Sequence, residues 1–569
     1  MEINEIALTR ARESRAAIER LYIEMRHLFN SGACRSLGSP GEVITEALRT
    51  LSPEIYGSMT DPHKVELEGL VYVMDRLPKG IEECRYIKLV SEEGYKDSDF
   101  EVVLPVARRR NCYRIDKEYM LMEVTRGRSE IYDILTHLTF LFSEADKIRH
   151  HILDKRGEPT GEWKRLEAIV NGVSGLDERN REVAFSFLSS ILGRSFAETK
   201  HAYERLARNS DKNNGLFHIV YWLGRLSLEE ELQGRYREVT FSPTLRDRIG
   251  HHIYGERWAV HIKQHLHRNR LLERPLHIIS ANTHSVMNAL FAYPALRESF
   301  GPAVTIEQLA MELSQPENQG LRKQVAAYAQ EHGMDVLDDP YGTGIAVQIF
   351  DTERLDLSQL APELHADLEA VRTHRPVILT MDYAFGEQAF ETMDELLKPF
   401  KGPDRIWRMP VISVSVMGKA GILEGGKGDI MVPNSHVFEG TADNYPFEND
   451  FTREHFLDSG ETVLEGPMIT VLGTSLQNRD VLEYFKNSSW QAIGLEMEGA
   501  HYQKAIQAAA RIRKNIRRDV VLRYAYYASD NPLLSGSTLA SGSLGLVGVK
   551  PTYLITRKIL ERILQAPGM

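Results

Sequence analysis

From about Pro275 to the C-terminus, short β-rich runs alternate with helical segments, and this alternation constrains the fold more than any other feature of the 569-residue chain. The runs include "PLHIIS", "GIAVQIFD", "RPVILTM", "MPVISVSVMGKAG", "KGDIMVP", "GPMITVLG", "QAIGL" and "VVLRYAYYASD". Parallel neighbours need a crossover long enough to be a helix, so the pattern predicts an α/β fold with a mixed or mostly parallel sheet covered by helices on both faces. In such sheets ligands bind beyond the carboxyl ends of the strands.

The first half reads differently. In "AAIERLYIEMRHLF" the residues Ile18, Leu21, Met25 and Leu28 fall on one face of an amphipathic helix. Similar spacing recurs in "SEIYDILTHLTFLFSEADKIRHHIL" and "ERWAVHIKQHLHRNRLL", whereas "FEVVLPVARRR" has strand character. The expectation is a mainly helical region over 1–270, then an α/β domain over 271–569 with a helical insertion around 295–340. A chain of this length exceeds one ordinary core.

Lys and Arg number 69 against 80 Asp and Glu, a net charge of −11 with the signs well mixed, which argues against a nucleic-acid surface. The three cysteines, Cys34, Cys84 and Cys112, lack the spacing of a thiolate metal site, and the N-terminus lacks the apolar core of a secretory signal. The longest uncharged stretch, 531–549, is too rich in Ser and Gly to span a membrane. The expected setting is cytoplasmic, with no membrane partner. His261 and His265 stand four apart on a probable helix, and His137, Glu144, His150 and His151 form a second cluster, but neither shows an HExxH pattern, so no metal is expected.

Chemistry enters at two strand ends. "QAIGL" delivers Glu496, Met497 and Glu498 to the sheet rim as a helix begins, and "VVLRYAYYASD" ends in Ser529 and Asp530. Alone, a glutamate opening a helix is usually a surface group favoured by the helix dipole, and an Asp near Pro is often a turn residue. Here "EMEG" and "SD" occur with "VSVMGKAGILEGGKGDIMVP", "VILTMDYAFGEQAFETM" and "PLHIISANTHSVMNALF" in an order that resembles the nucleoside phosphorylase and nucleosidase superfamily over about half the chain. The resemblance implies that Glu498 grips ribose hydroxyls, Met497 packs under the sugar and Asp530 protonates the leaving base, with no cofactor and with a homo-oligomeric assembly. Glu496 and Gly418 join the substrate-binding candidates, and Leu476 and Gln477 stand where the family often contacts the base.

Breaking an N-glycosidic bond leaves a cationic sugar and a base gaining negative charge, so it calls for a neutral acid beside the base and an anion beside the ribose. The nucleophile departs from the family pattern. Val416 replaces an arginine that holds phosphate in several phosphorylases, and Lys419 replaces a Ser or Thr, which removes bidentate phosphate binding. Water is then the preferred nucleophile, with Asn282, His284 and Ser285 as the polar residues after the first strand. The loop "SDNPLLSG" is similar to a turn of AMP nucleosidases, and Ser535, Ser537, Thr538, Ser541, Ser543 and Lys550 are candidates to meet a 5′-phosphate. The ligand expected is therefore a small purine nucleoside or nucleotide. Phosphorolysis, with phosphate as co-substrate, and a nucleotide-binding sensor without turnover are the rival readings.

Overall fold

The computed structural model describes residues 5–35, 39–57, 59–108, 110–172, 178–441, 443–534 and 544–568. Two units emerge, one built chiefly from His252–Thr474 and Leu482–Met569, the other from Asn4–His251 and Ser475–Val481.

In the N-terminal unit the first periodic stretch lies in the helix Glu5–Ser31, and Ile18, Leu21, Met25 and Leu28 are at most 1% exposed. Helix Arg128–Ile152 buries side chains all round its surface, His137 and Asp133 among them. The unit also carries a six-stranded sheet, in the order Ala33–Arg35, Glu238–Phe241, Tyr86–Val90, Tyr119–Glu123, Cys112–Arg114, Glu101–Val103. Its strands are only three to five residues long, too short for a period-2 signal to stand out between long helices.

The C-terminal unit is α/β around a mixed ten-stranded sheet. Its axis is the twelve-residue strand Val411–Ile422. The first part of that strand runs parallel to Leu276–Ser280, which in turn pairs in parallel with Val377–Met381. The antiparallel strands Val347–Asp351 and Met334–Leu337 finish that edge. On its other side Val411–Ile422 runs parallel to Val521–Asp530. Pairing then continues from Val521–Asp530 to Ile430–Phe438, to Val463–Thr470, to Gly494–Glu496 and back to Gly421 and Ile422, so five strands close into a barrel. Closure leaves these strands no free edge, and their inward apolar residues, such as Ala420, Ile422, Met431 and Met468, are fully buried. Between 295 and 340 lie the helices Ile306–Leu313 and Gln319–Glu331. No helix among the described residues is long and apolar enough to cross a membrane.

Candidate active site

Gly421 pairs with Asp530 on one side and with Leu495 on the other. At one inter-strand spacing each way, the two acidic strand ends lie roughly 10 Å apart across a single strand. Because Gly494–Glu496 runs antiparallel to Val411–Ile422, the chain beyond Glu496 heads back along that strand, in the direction of Lys419 and Gly418.

The two glutamates of "EMEG" have different surroundings. Glu496 is buried, and its carboxylate accepts from Thr470 Oγ1 at 2.5 Å, from the Glu498 N–H at 2.5 Å and from the Gly499 N–H. It thus satisfies free amides at the start of helix Gly499–Gln507. Burial still pushes its carboxyl up to about 7. Glu498 is half-buried, and its Oε1 accepts from the Gly386 N–H at 2.9 Å. Burial, reinforced by the Glu496 charge, pushes it up to about 8. Gly386 sits at φ 55° in the loop after Val377–Met381, a conformation glycine adopts without penalty, and this aims its amide at the carboxylate. Met497, between the two, is half-buried.

Asp530 closes Val521–Asp530 and is 3% exposed. Ser529 Oγ lies 2.5 Å from its Oδ1 and 3.2 Å from the Ala420 carbonyl. Ser529 is the donor in both contacts, and its single hydroxyl hydrogen is shared between the Asp530 carboxyl and the Ala420 carbonyl. Asp530 Oδ2 is buried with no hydrogen-bond partner among the described residues. Burial raises the Asp530 pKa, against the Ser529 hydrogen bond and the charges of Lys419 and Lys427. A carboxyl held toward its neutral form, with one oxygen waiting for a partner, is equipped to deliver a proton.

A cavity of about 770 Å³ is lined in part by Asn282, His284, Gln348, Lys419, Tyr527 and Thr552, and neither Glu498 nor Asp530 is among its lining residues. Asn282 spends its side chain capping helix Thr283–Phe300, accepting from the His284 N–H at 2.9 Å, while the His284 side chain is exposed. Lys419 is exposed as well. Ser285 Oγ donates to the Asn282 carbonyl at 2.8 Å. Val416 is a core residue at 4% exposure. Gly418 faces Tyr383, whose ring would stand 3.3 Å from any added Cβ, and Tyr383 itself is 40% exposed.

Leu476 and Gln477 belong to the segment Ser475–Val481, which clusters with the N-terminal unit. There Leu476 is buried and the Gln477 carbonyl accepts from the Glu54 N–H at 3.3 Å. Lys550 is engaged by Glu461 at 2.5 Å. Ser535, Ser537, Thr538, Ser541 and Ser543 lie outside the described residues. Sequence reasoning missed Gly386 and Tyr383, although the glycine and aromatics of "DYAFG" after a strand end were the available signal. It also missed Tyr502, whose hydroxyl meets Ser280 Oγ at 2.9 Å and ties helix Gly499–Gln507 to the end of Leu276–Ser280.

The family described as "Family of unknown function (DUF6909)" matches residues 42–299 and 309–565. The chain belongs to DUF6909. That membership spans both units and makes them parts of one family architecture. No curated protein matches this DUF6909 chain. Among solved structures, the futalosine hydrolase of Helicobacter pylori is similar at 13% identity, over 51% of this chain and 97% of that one, with a TM-score of 0.30. A 5′-methylthioadenosine/S-adenosyl homocysteine nucleosidase of Campylobacter jejuni is similar at 9% identity over 50% and 97%, also at 0.30. A putative methylthioadenosine nucleosidase from Weissella paramesenteroides follows at 11% identity over 51% and 99%, at 0.29. Likeness this slight leaves the chemistry of the DUF6909 site to be read from its own residues.

Proposed function

We propose that the C-terminal unit hydrolyses the N-glycosidic bond of a purine nucleoside or 5′-nucleotide. Asp530 is the general acid that protonates the leaving base, and Glu498 receives the ribose hydroxyls. The observation that carries this reading is Asp530 Oδ2, buried at a strand end and without a partner among the described residues, on a carboxyl whose pKa burial raises. A purine ring nitrogen placed there would satisfy the orphaned oxygen and receive its proton as the bond to the sugar stretches. Glu498, whose Oε1 accepts from Gly386, keeps acceptor capacity for a vicinal diol. The motif resemblance supports the same pair of roles, and the exposed Tyr383 ring offers a face to the base.

Water is preferred over phosphate as nucleophile because Val416 is packed in the core and offers no guanidinium to grip an oxyanion. His284, exposed in the cavity, is the candidate to position that water. The test is base release from a panel of purine nucleosides and 5′-nucleotides, with and without phosphate. Release should be phosphate-independent and fall on the order of 10²- to 10⁴-fold in Asp530→Asn. Strict dependence on phosphate would replace hydrolysis by phosphorolysis. Binding without release across the panel would make the unit a sensor.

A further inference from the structure

We propose that the N-terminal unit holds a divalent transition-metal ion between Glu82, Glu83 and His218. Glu82 and Glu83 sit on the short turn Ile81–Glu83, and His218 projects from the first turn of helix Leu216–Gln233. One donor atom from each of these residues lies within 4.8 Å of the other two, the one such group among the described residues. An imidazole with two carboxylates is a donor set suited to Zn²⁺ or Mn²⁺.

The carboxylate partners are divided as an ion would require. Glu83 Oε2 is taken by Arg114 Nη2 at 2.6 Å, which leaves Oε1 facing His218 Nε2 at 2.6 Å. Glu82 Oε1 is taken by the Asn214 side-chain amide, which leaves Oε2. Glu82 is 0% exposed, and Oε2 has no hydrogen-bond partner among the described residues. A fully buried carboxylate oxygen facing nothing is costly unless something completes it. Arg114 and Asn214 take the place that outer partners occupy around metal-binding carboxylates, orienting one oxygen by holding the other.

The spacing accommodates an ion after a small adjustment. Bonds of about 2.1 Å in tetrahedral array separate donor atoms by about 3.4 Å. His218 Nε2 stands 3.8 Å from Glu82 Oε1, the oxygen that Asn214 holds, so the Glu82 carboxylate must turn to present Oε2 at that separation. The 2.6 Å contact to Glu83 is a direct hydrogen bond that must open by under 1 Å, within reach of a side-chain rotation. The His218 side chain is 33% exposed and gives the ion a route from solvent, and three protein ligands leave a position for water.

The test uses the full chain stripped with a chelator and titrated with Zn²⁺ or Mn²⁺ alone, read by calorimetry and thermal melting. Expected are one equivalent bound per chain and a raised Tm, with affinity at least tenfold weaker in His218→Ala and in Glu82→Gln. Arg114→Gln, outside the donor set, should weaken binding less than either. Absence of stoichiometric binding, or binding unchanged in both ligand variants, overturns the site. If His218→Ala fails to fold, His218→Gln with Glu83→Gln supplies the same comparison. The readout is independent of base release, so a failure here leaves the C-terminal assignment standing.

Discussion

If Glu498 receives the ribose hydroxyls, ligand binding must release a proton, and the size of that linkage follows from the site. In the free protein its carboxyl is pushed up to about 8, above the ordinary 4.5, so near neutrality it is mostly protonated. A diol donating two hydrogen bonds stabilises the anion and lowers the pKa in the complex. The sign is fixed: the bound form holds fewer protons than the free form, so affinity rises with pH until the free carboxylate is ionised. With a free pKa of about 8, the ionised fraction is about 1% at pH 6, about 9% at pH 7 and about half at pH 8. If the bound pKa falls well below 6, affinity should rise about 50-fold from pH 6 to pH 8, equivalent to about 2.3 kcal/mol. The perturbation is a pH series on Asp530→Asn, which removes one of the other raised carboxyls of the site and keeps the nucleoside intact. The assay is calorimetry in buffers of differing ionisation enthalpy, which should count about 0.9 proton released at pH 7. Glu498→Gln should bind weakly and lose most of the pH dependence, and any slope that remains is the share of Glu496, whose carboxyl burial pushes up to about 7. Affinity that is constant or falls as pH rises, with no buffer-dependent heat, would refute the role of Glu498 as anionic diol acceptor.

Three further outcomes concern stability. Glu496→Ala removes the acceptor for Thr470 and for two helix-start amides, and should cost about 1–3 kcal/mol in denaturant melts; a loss under 0.3 kcal/mol would show that water serves those donors equally well. Gly499→Ala drives a Cβ into the His436 ring, which is stacked on Phe447 at 5.3 Å, and should lower stability by about 1–3 kcal/mol and weaken ligand binding, because Glu498 precedes it directly; an unchanged Tm would mean the ring yields freely. In the N-terminal unit, Asp133→Ala strips Arg110 and His137 of their shared carboxylate in a buried cluster, and should cost about 3–5 kcal/mol by thermal or denaturant unfolding of the full chain; stability within 1 kcal/mol of the parent would show that Glu130, which also pairs with Arg110, suffices.

The sequence by itself determined what is local. Apolar spacing defined the buried face of Glu5–Ser31, and β-rich runs bounded by Gly and Pro located Leu276–Ser280, Val377–Met381, Val411–Ile422 and Val521–Asp530. It also brought Glu498 and Asp530 forward as acids at strand ends, since a motif and its strand are neighbours in the chain. Only the tertiary structure decided what each acid meets. Glu496 and Glu498 are two residues apart and of one type, yet the first accepts from Thr470 and from helix-start amides, while Gly386, 112 residues away, donates to the second. The closing of five strands into a barrel rests on pairings across long separations, and the strand Gly494–Glu496 is too short to carry a pattern. Ser475–Val481 clusters with a unit whose other residues lie far upstream, and Glu83 meets His218 across 135 residues. Periodicity reports which face of an element is apolar, whereas hydrogen-bond partners and burial depend on which distant elements pack against that face.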